Sequence, residues 1–233
     1  MEYKDYVLLS ILWMGYCALH SAMISTGFTD FVKRTLGERS RYHRIFFNLF
    51  SVASIIPLLI YSRSASSGIE TIFAWEGTLR IVKYALIGVA AILILTVGGR
   101  YSMSRFLGIE QIRGGAGRGM TEDGGLDSSG ILGIIRHPWY VAVFILLWAG
   151  DLTPSKIIIN GILSGYLVIG TFLEERKLVL EFGNRYRKYQ AEVSMFIPLK
   201  WLKTKLHRGH LTFSSQNPSY DDKEKKLEGV TLP

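Results

Sequence analysis

The sequence predicts an all-α, polytopic membrane bundle of about five transmembrane helices, closing in a C-terminal helical hairpin. Three observations carry that prediction. Hydrophobic residues make up 48% of the 233-residue chain and charged residues only 20%, and mean hydropathy is +0.23. Long stretches lack charge altogether. The basic residues collect in alternate connections between those stretches, the pattern that orients membrane helices. Aromatics at 12% exclude a disordered chain. The single cysteine, Cys17, excludes a disulfide framework and any multi-cysteine metal site.

Residues 6–26 and 45–62 carry no charged side chain, and residues 81–99 carry only Lys83, placed where it can snorkel. Each is close to the roughly 20 apolar residues that span a bilayer. Glu2, Lys4 and Asp5 flank the first stretch, which reads as a span and not as a signal peptide. Two shorter stretches, 139–150 and 157–173, are parted by Asp151-Leu152-Thr153-Pro154-Ser155-Lys156 and form the expected hairpin. The first of them is short for a span, so it is expected to begin near Ile131, or to be tilted or re-entrant.

Five basic residues lie in connection 27–44, one in 63–78, five in 99–137 and one in the hairpin turn; twelve follow Glu174. The alternation predicts the N-terminus outside and the C-terminus cytoplasmic. It also accounts for most of the +8 net charge, and no motif supports a nucleic-acid partner. Residues 1–206 read as one membrane domain, and 207–233 as a floppy, polar cytoplasmic tail. No internal repeat suggests an inverted-repeat transporter.

Polar groups concentrate in three cytoplasmic segments. Loop 100–136 holds Leu107-Gly108-Ile109-Glu110-Gln111 and a glycine-rich run, Gly114 to Gly119. The run follows no strand and lacks the ending of a phosphate-binding loop, so a flexible loop is the plainer reading. Arg136-His137-Pro138-Trp139-Tyr140 opens the hairpin. Pro138 suits a first helical turn, and Trp139 and Tyr140 suit an aromatic belt. Glu174-Glu175-Arg176-Lys177 closes it. Two acids at the end of an apolar helix are unusual, because helix C-termini prefer cations and charge is costly at membrane depth. A closed hairpin brings Glu174 or Glu175 back to the level of His137. His20, inside the first span, is a further functional candidate, although an interhelical hydrogen bond with Ser21 or a tyrosine explains it as well. Five scattered histidines show no zinc-ligand spacing.

Arg136-His137-Pro138-x-Tyr140, followed by Glu174-Glu175-x-x-Leu178-x-x-x-Phe182-Gly183-x-x-Tyr186-x-x-Tyr189, then Val193 and Ile197-Pro198, resembles the isoprenylcysteine carboxyl methyltransferase family over about residues 107–199. His20-Ser21, Arg41-Tyr42-His43-Arg44 and Leu107 to Gln111 look more like its thiol-methyltransferase and nitrite-reduction-associated branch. The resemblance implies an integral-membrane enzyme that uses S-adenosylmethionine at a cytoplasmic site. Carried over, His137, Pro138, Trp139 and Tyr140 would line the cofactor, and Leu126 and Asp127 would border it. Glu174 would meet its amino group with Glu175 beside it, and Gln111 would match a glutamine of the family's approach segment. Arg136 and His137 are the catalytic candidates, and His20 and Tyr186 the candidates for the acceptor. No metal is implied.

Two positions depart from the family pattern. Leu132 stands where a tyrosine is frequent. Gly170 stands where relatives that methylate a prenylcysteine carboxylate carry an arginine, which suits bidentate carboxylate binding. Its absence favours a small thiol or lipophilic acceptor over a carboxylate. The alternatives are a prenylcysteine carboxyl methyltransferase, an NADPH-dependent sterol-reductase-like enzyme, and a non-enzymatic transport or assembly factor.

Overall fold

A computed structural model describes residues 2–99, 104, 107–113 and 126–206. The tail 207–233, the glycine-rich run and Glu110's side chain lie outside the described residues. The order of elements is α1 (Tyr3–Ile24), α2 (Thr26–Leu36), a 3-10 turn (Gly37–Tyr42), α3 (His43–Ala65), α4 (Leu79–Gly98), α5 (Ile109–Ile112), a second 3-10 turn (Gly130–Gly133), α6 (Pro138–Trp148), α7 (Pro154–Phe182), α8 (Asn184–Glu192), and α9, residues 199–206. Among the described residues the only extended pairings are isolated bridges, Phe73 with Leu152 and Ile135 with Ser194.

Helix α1 opens with a capping box: Asp5 accepts from the Glu2 backbone N–H at 2.8 Å. Ser25 ends it and starts α2, its hydroxyl accepting from Phe28 N–H at 3.2 Å. Leu9 and Trp13 of α1 pack with Leu58 of α3 and Ile159 of α7. The Trp13 indole donates to Ser62 Oγ at 3.0 Å, which satisfies the polar edge of a buried ring. A second core joins Ala90 and Leu93 of α4 to Ala142 of α6 and Ile135. Small residues at that seam let two apolar helices approach closely without a hydrophobic drive between them.

Four segments contain helices long and apolar enough to cross a membrane: Tyr3–Ile24, Thr26–Ala65, Leu79–Gly98 and Pro154–Phe182. The chain is therefore a multi-pass membrane protein. The hairpin arms are unequal. At about 1.5 Å per residue, the 11 residues of α6 cover about 16 Å, half of a roughly 30 Å hydrocarbon core. The stretch near Ile131 does not extend α6; it forms a separate 3-10 turn packed under α4. Pro138 sets the start, since a proline further inside would break the ladder. Asn160 of α7 donates to Leu147 O at 2.7 Å at the far end, capping carbonyls that helix termination leaves open. The 29 residues of α7 reach about 43 Å, so its last turns, from about Glu174, extend beyond the hydrocarbon.

At the hairpin-turn end, Leu152 exchanges backbone hydrogen bonds with Phe73. Asp151 there accepts from Trp75 N–H at 3.1 Å and Lys83 Nζ at 3.3 Å. At the opposite end Gly183, with φ +57°, turns α7 into α8, a conformation that an L side chain resists.

Candidate active site

The hairpin mouth is assembled from four pieces of chain. His137 and Pro138 start α6, Glu174 and Glu175 lie on α7, Tyr186, Tyr189 and Gln190 on α8, and residues 193–196 fold back across them. That return strand pairs with the RHP segment: Arg136 N–H donates to Ser194 O at 2.8 Å and His137 N–H to Met195 O at 3.1 Å. Tyr189 ties α8 to the 3-10 turn by donating to Leu132 O at 2.6 Å.

Glu175 is the centre of this cluster, its side chain only 8% exposed. Its Oε1 accepts from Arg136 Nε at 2.6 Å, His137 Nε2 at 3.1 Å and Tyr186 Oη at 3.4 Å. Its Oε2 accepts from Gln190 Nε2 at 2.9 Å. The buried carboxylate is thus paired and fully hydrogen-bonded, the condition under which a buried charge is tolerated. Arg136 is equally committed: Nη1 also donates to the carbonyls of Gln190, at 3.1 Å, and Val193. The structure places it as a clamp between α7 and α8. Burial, then the Glu175 charge, pushes the Tyr186 hydroxyl above the usual tyrosine range, so Tyr186 serves as a neutral donor.

Glu174 differs. Its side chain is 39% exposed and its Oε2 lies 3.8 Å from His137 Nδ1. That same oxygen is buried and has no hydrogen-bond partner among the described residues. Nε2 of His137 is committed to Glu175, which leaves Nδ1 as the ring atom facing Glu174. At 3.8 Å the two atoms are too far apart for a hydrogen bond. A buried polar atom left this way calls for a partner, and a cationic ammonium fits. Aromatic faces stand nearby: Tyr140 lies 5.5 Å and Phe196 6.2 Å from the His137 ring, centroid to centroid. Such faces suit a cation such as a sulfonium.

The remaining expected residues are distributed as follows. Pro138 is buried at the start of α6 and Trp139 is exposed. Leu126 packs on Tyr186 and Tyr189. Asp127 accepts from the backbone and hydroxyl of Ser129, at 2.9 and 2.7 Å, and shapes the approach turn. Gln111, with its amide oriented to suit both neighbours, donates to Gly108 O and accepts from Arg44 at 3.0 Å, which puts it against the start of α3. His20 joins a different cluster. Its Nδ1 lies 3.2 Å from Ser51 Oγ, and its ring meets Phe47, Tyr16 and Tyr166. Ser21 donates to Tyr166 at 3.1 Å. Tyr166 precedes Glu175 by nine residues, about 13 Å along α7, so His20 lies deeper in the bundle than the mouth. Among the described residues no group of His, Cys, Asp and Glu could hold a metal.

Sequence reading missed Gln190. A signal was present: Tyr186, Tyr189, Gln190 and Val193 fall at i, i+3, i+4 and i+7, one face of a helix, and the amide sits on that otherwise apolar stripe.

A multi-pass helical protein with a buried acid–histidine cluster at one membrane face is the class that fold and site define. Residues 7–203 match the family model described as NnrU protein, and the chain belongs to that family. Among curated proteins it is 28% identical over 198 residues to a methanethiol S-methyltransferase of a Pseudomonas species, covering 81% of this chain and 72% of that protein. It is 26% identical over 199 residues to a Mycobacterium tuberculosis protein of the same name, covering 82% and 78%. It is 31% identical over 140 residues to that of Pseudomonas deceptionensis, covering 60% of this chain and 48% of the relative, so it spans about half the length of that protein. No solved structure matches the chain.

Proposed function

We propose that this chain is an integral-membrane methyltransferase that takes S-adenosylmethionine as methyl donor and a small thiol as acceptor, with its N-terminus outside and its site at the cytoplasmic face. One observation carries the reading: a buried, unpartnered Glu174 oxygen beside His137, in a chain whose relatives are named for thiol methylation. The basic residues in the connections at the site end support the orientation.

S-Adenosylmethionine supplies a methyl group on a sulfonium, open to direct displacement by sulfur. The chain's own residues bind and orient. Glu174 accepts a hydrogen bond from the ammonium of the donor's amino-acid end. Glu175 and Arg136 hold His137 in one ring orientation, with Nδ1 toward Glu174 and able to take the acceptor's proton, because a thiolate is the reactive form. Tyr140 and Phe196 face the cation and keep water away. Holding the two partners in line supplies much of such a rate.

Gly170 supports a thiol over a carboxylate. A carboxylate entering a partly dry site without a cationic partner loses hydration with no compensation. A side chain begun at Gly170 would meet nothing within 4 Å, so Gly170→Arg is sterically open. The test presents purified protein with labelled S-adenosylmethionine and, separately, a short alkanethiol, farnesyl-cysteine and phosphatidylethanolamine. Labelled methyl sulfide is expected from the thiol. Methyl-ester formation exceeding it would overturn the acceptor assignment. Gly170→Arg is expected to improve carboxylate use or impair thiol use.

A further inference from the structure

Two helices at the site end of the bundle carry apolar stripes that nothing among the described residues covers. Helices α1 and α7 run parallel, Leu9 packing in one cluster with Ile159 and Ser21 meeting Tyr166, so α2 emerges at the same end as Glu174. On α2, Phe31 is 61% and Leu36 50% exposed, beside Lys33 and Arg34. On α9, Leu199, Leu202 and Leu206 recur at i, i+3 and i+7 and are 57%, 42% and 68% exposed. The same helix carries Lys200, Lys203 and Lys205 and no acid. Lys205 Nζ lies 5.6 Å over the Trp201 ring. Between α8 and α9 an open groove of about 630 Å³ is lined by Arg185, Lys188, Trp201 and Thr204 among others.

We propose that α9 is an interfacial anchor seated in an anionic phospholipid leaflet, its leucines among acyl chains and Lys203, Lys205 and Trp201 at the phosphate level. Charge complementarity selects this occupant. A helix with a leucine stripe flanked on both sides by lysines lies in the plane of such a surface, and each lysine near it strengthens the attraction roughly fivefold. The anchor braces the site. Lys200 N–H donates to Ser194 Oγ at 3.0 Å, and Lys200 Nζ to the carbonyls of Gln190, at 2.7 Å, and Ala191, at 2.9 Å. The Gln190 carbonyl also receives Arg136, and the Gln190 amide holds Glu175.

The test places an NBD fluorophore on Leu202→Cys or Thr204→Cys in a Cys17→Ala background, with the full chain in nanodiscs. The discs are phosphatidylcholine alone or with one quarter phosphatidylglycerol. At position 202, blue-shifted emission quenched by acyl-brominated lipid is expected, stronger with phosphatidylglycerol; at 204, emission free of lipid quenching. Lys203→Gln with Lys205→Gln should return the position-202 signal in anionic discs to that of phosphatidylcholine alone. Leu206→Cys should repeat the position-202 pattern. Water-like emission at 202 and 206 in both lipids overturns the proposal. So does quenching indifferent to phosphatidylglycerol and to the lysines, or self-quenching between labelled copies without lipid quenching, which would seat a second copy there.

Discussion

Two histidines, both enclosed by aromatic rings, end differently. His20 sits within α1 and meets a hydroxyl, Ser51, among Tyr16, Phe47 and Tyr166. Its polar need is met by a neutral partner, and the crevice beside it has no room for a water molecule. His137 sits between two carboxylates. One of them, Glu175, is saturated by four donors; the other, Glu174, has a buried oxygen with none. A histidine balanced by its own fold holds helices together. A histidine beside surplus acceptors implies a donor from outside. Ring packing around a histidine therefore says little about function, and the partner inventory says more.

Four substitutions would break or sharpen that contrast. Glu175→Ala removes the common acceptor of Arg136, His137 and Gln190 and leaves a buried guanidinium unpaired. Losing one partner of a buried pair costs about 3–5 kcal/mol, so thermal unfolding in detergent should fall steeply; an unchanged midpoint would refute the clamp. Gly108→Ala comes next. The glycine has φ +90°, and a Cβ there would lie 3.0 Å from Arg44 Cβ. The strain is on the order of 1–3 kcal/mol, to be read from the same melt, with cofactor affinity reporting whether Gln111 matters to the site. Ser51→Ala removes only the His20 partner. A stability loss of about 1 kcal/mol is expected, with cofactor binding unchanged; weakened binding would tie His20 to the site.

The smallest effect is expected at the other end of the hairpin. The Trp75 N–H, then Lys83, hold the Asp151 carboxyl below the usual range. A lowered folded pKa stabilises above the unfolded value, near 3.9, and the contribution fades as pH falls through the folded one. The side chain is half-exposed, so Asp151→Asn should cost well under 1 kcal/mol at neutral pH and nothing in strong acid. A larger penalty, or one that persists in acid, would show that Asp151 acts by more than charge.

Much of this was legible in the sequence. Uncharged stretches gave four of the long helices because length and hydropathy alone decide what crosses a bilayer. The paired acids and Arg136-His137-Pro138 gave the mouth, since closing a hairpin forces its two ends level. The division of labour within the pair was not legible. Residues 174 and 175 are successive on one helix, and only tertiary packing decides that Glu175 turns inward to Arg136 while Glu174 stays half-exposed. The length of α6 was equally hidden, because Ile131 to Ile135 are as apolar as a span, and it is Pro138 and the bridge from Ile135 to Ser194 that interrupt them. Gln190 escaped because an amide among charged residues reads as solvated until its helical face is drawn.

The account turns on Glu174. Titrating S-adenosylhomocysteine into wild-type protein and Glu174→Gln by calorimetry measures the claim directly. Losing a charge-assisted hydrogen bond to the ligand ammonium should cost about 1.5–3 kcal/mol, roughly 10- to 150-fold in Kd, with the unfolding midpoint essentially unchanged because Glu174 Oε2 makes no hydrogen bond among the described residues. Equal affinity in a folded Glu174→Gln protein would contradict the account and remove Glu174 from the site.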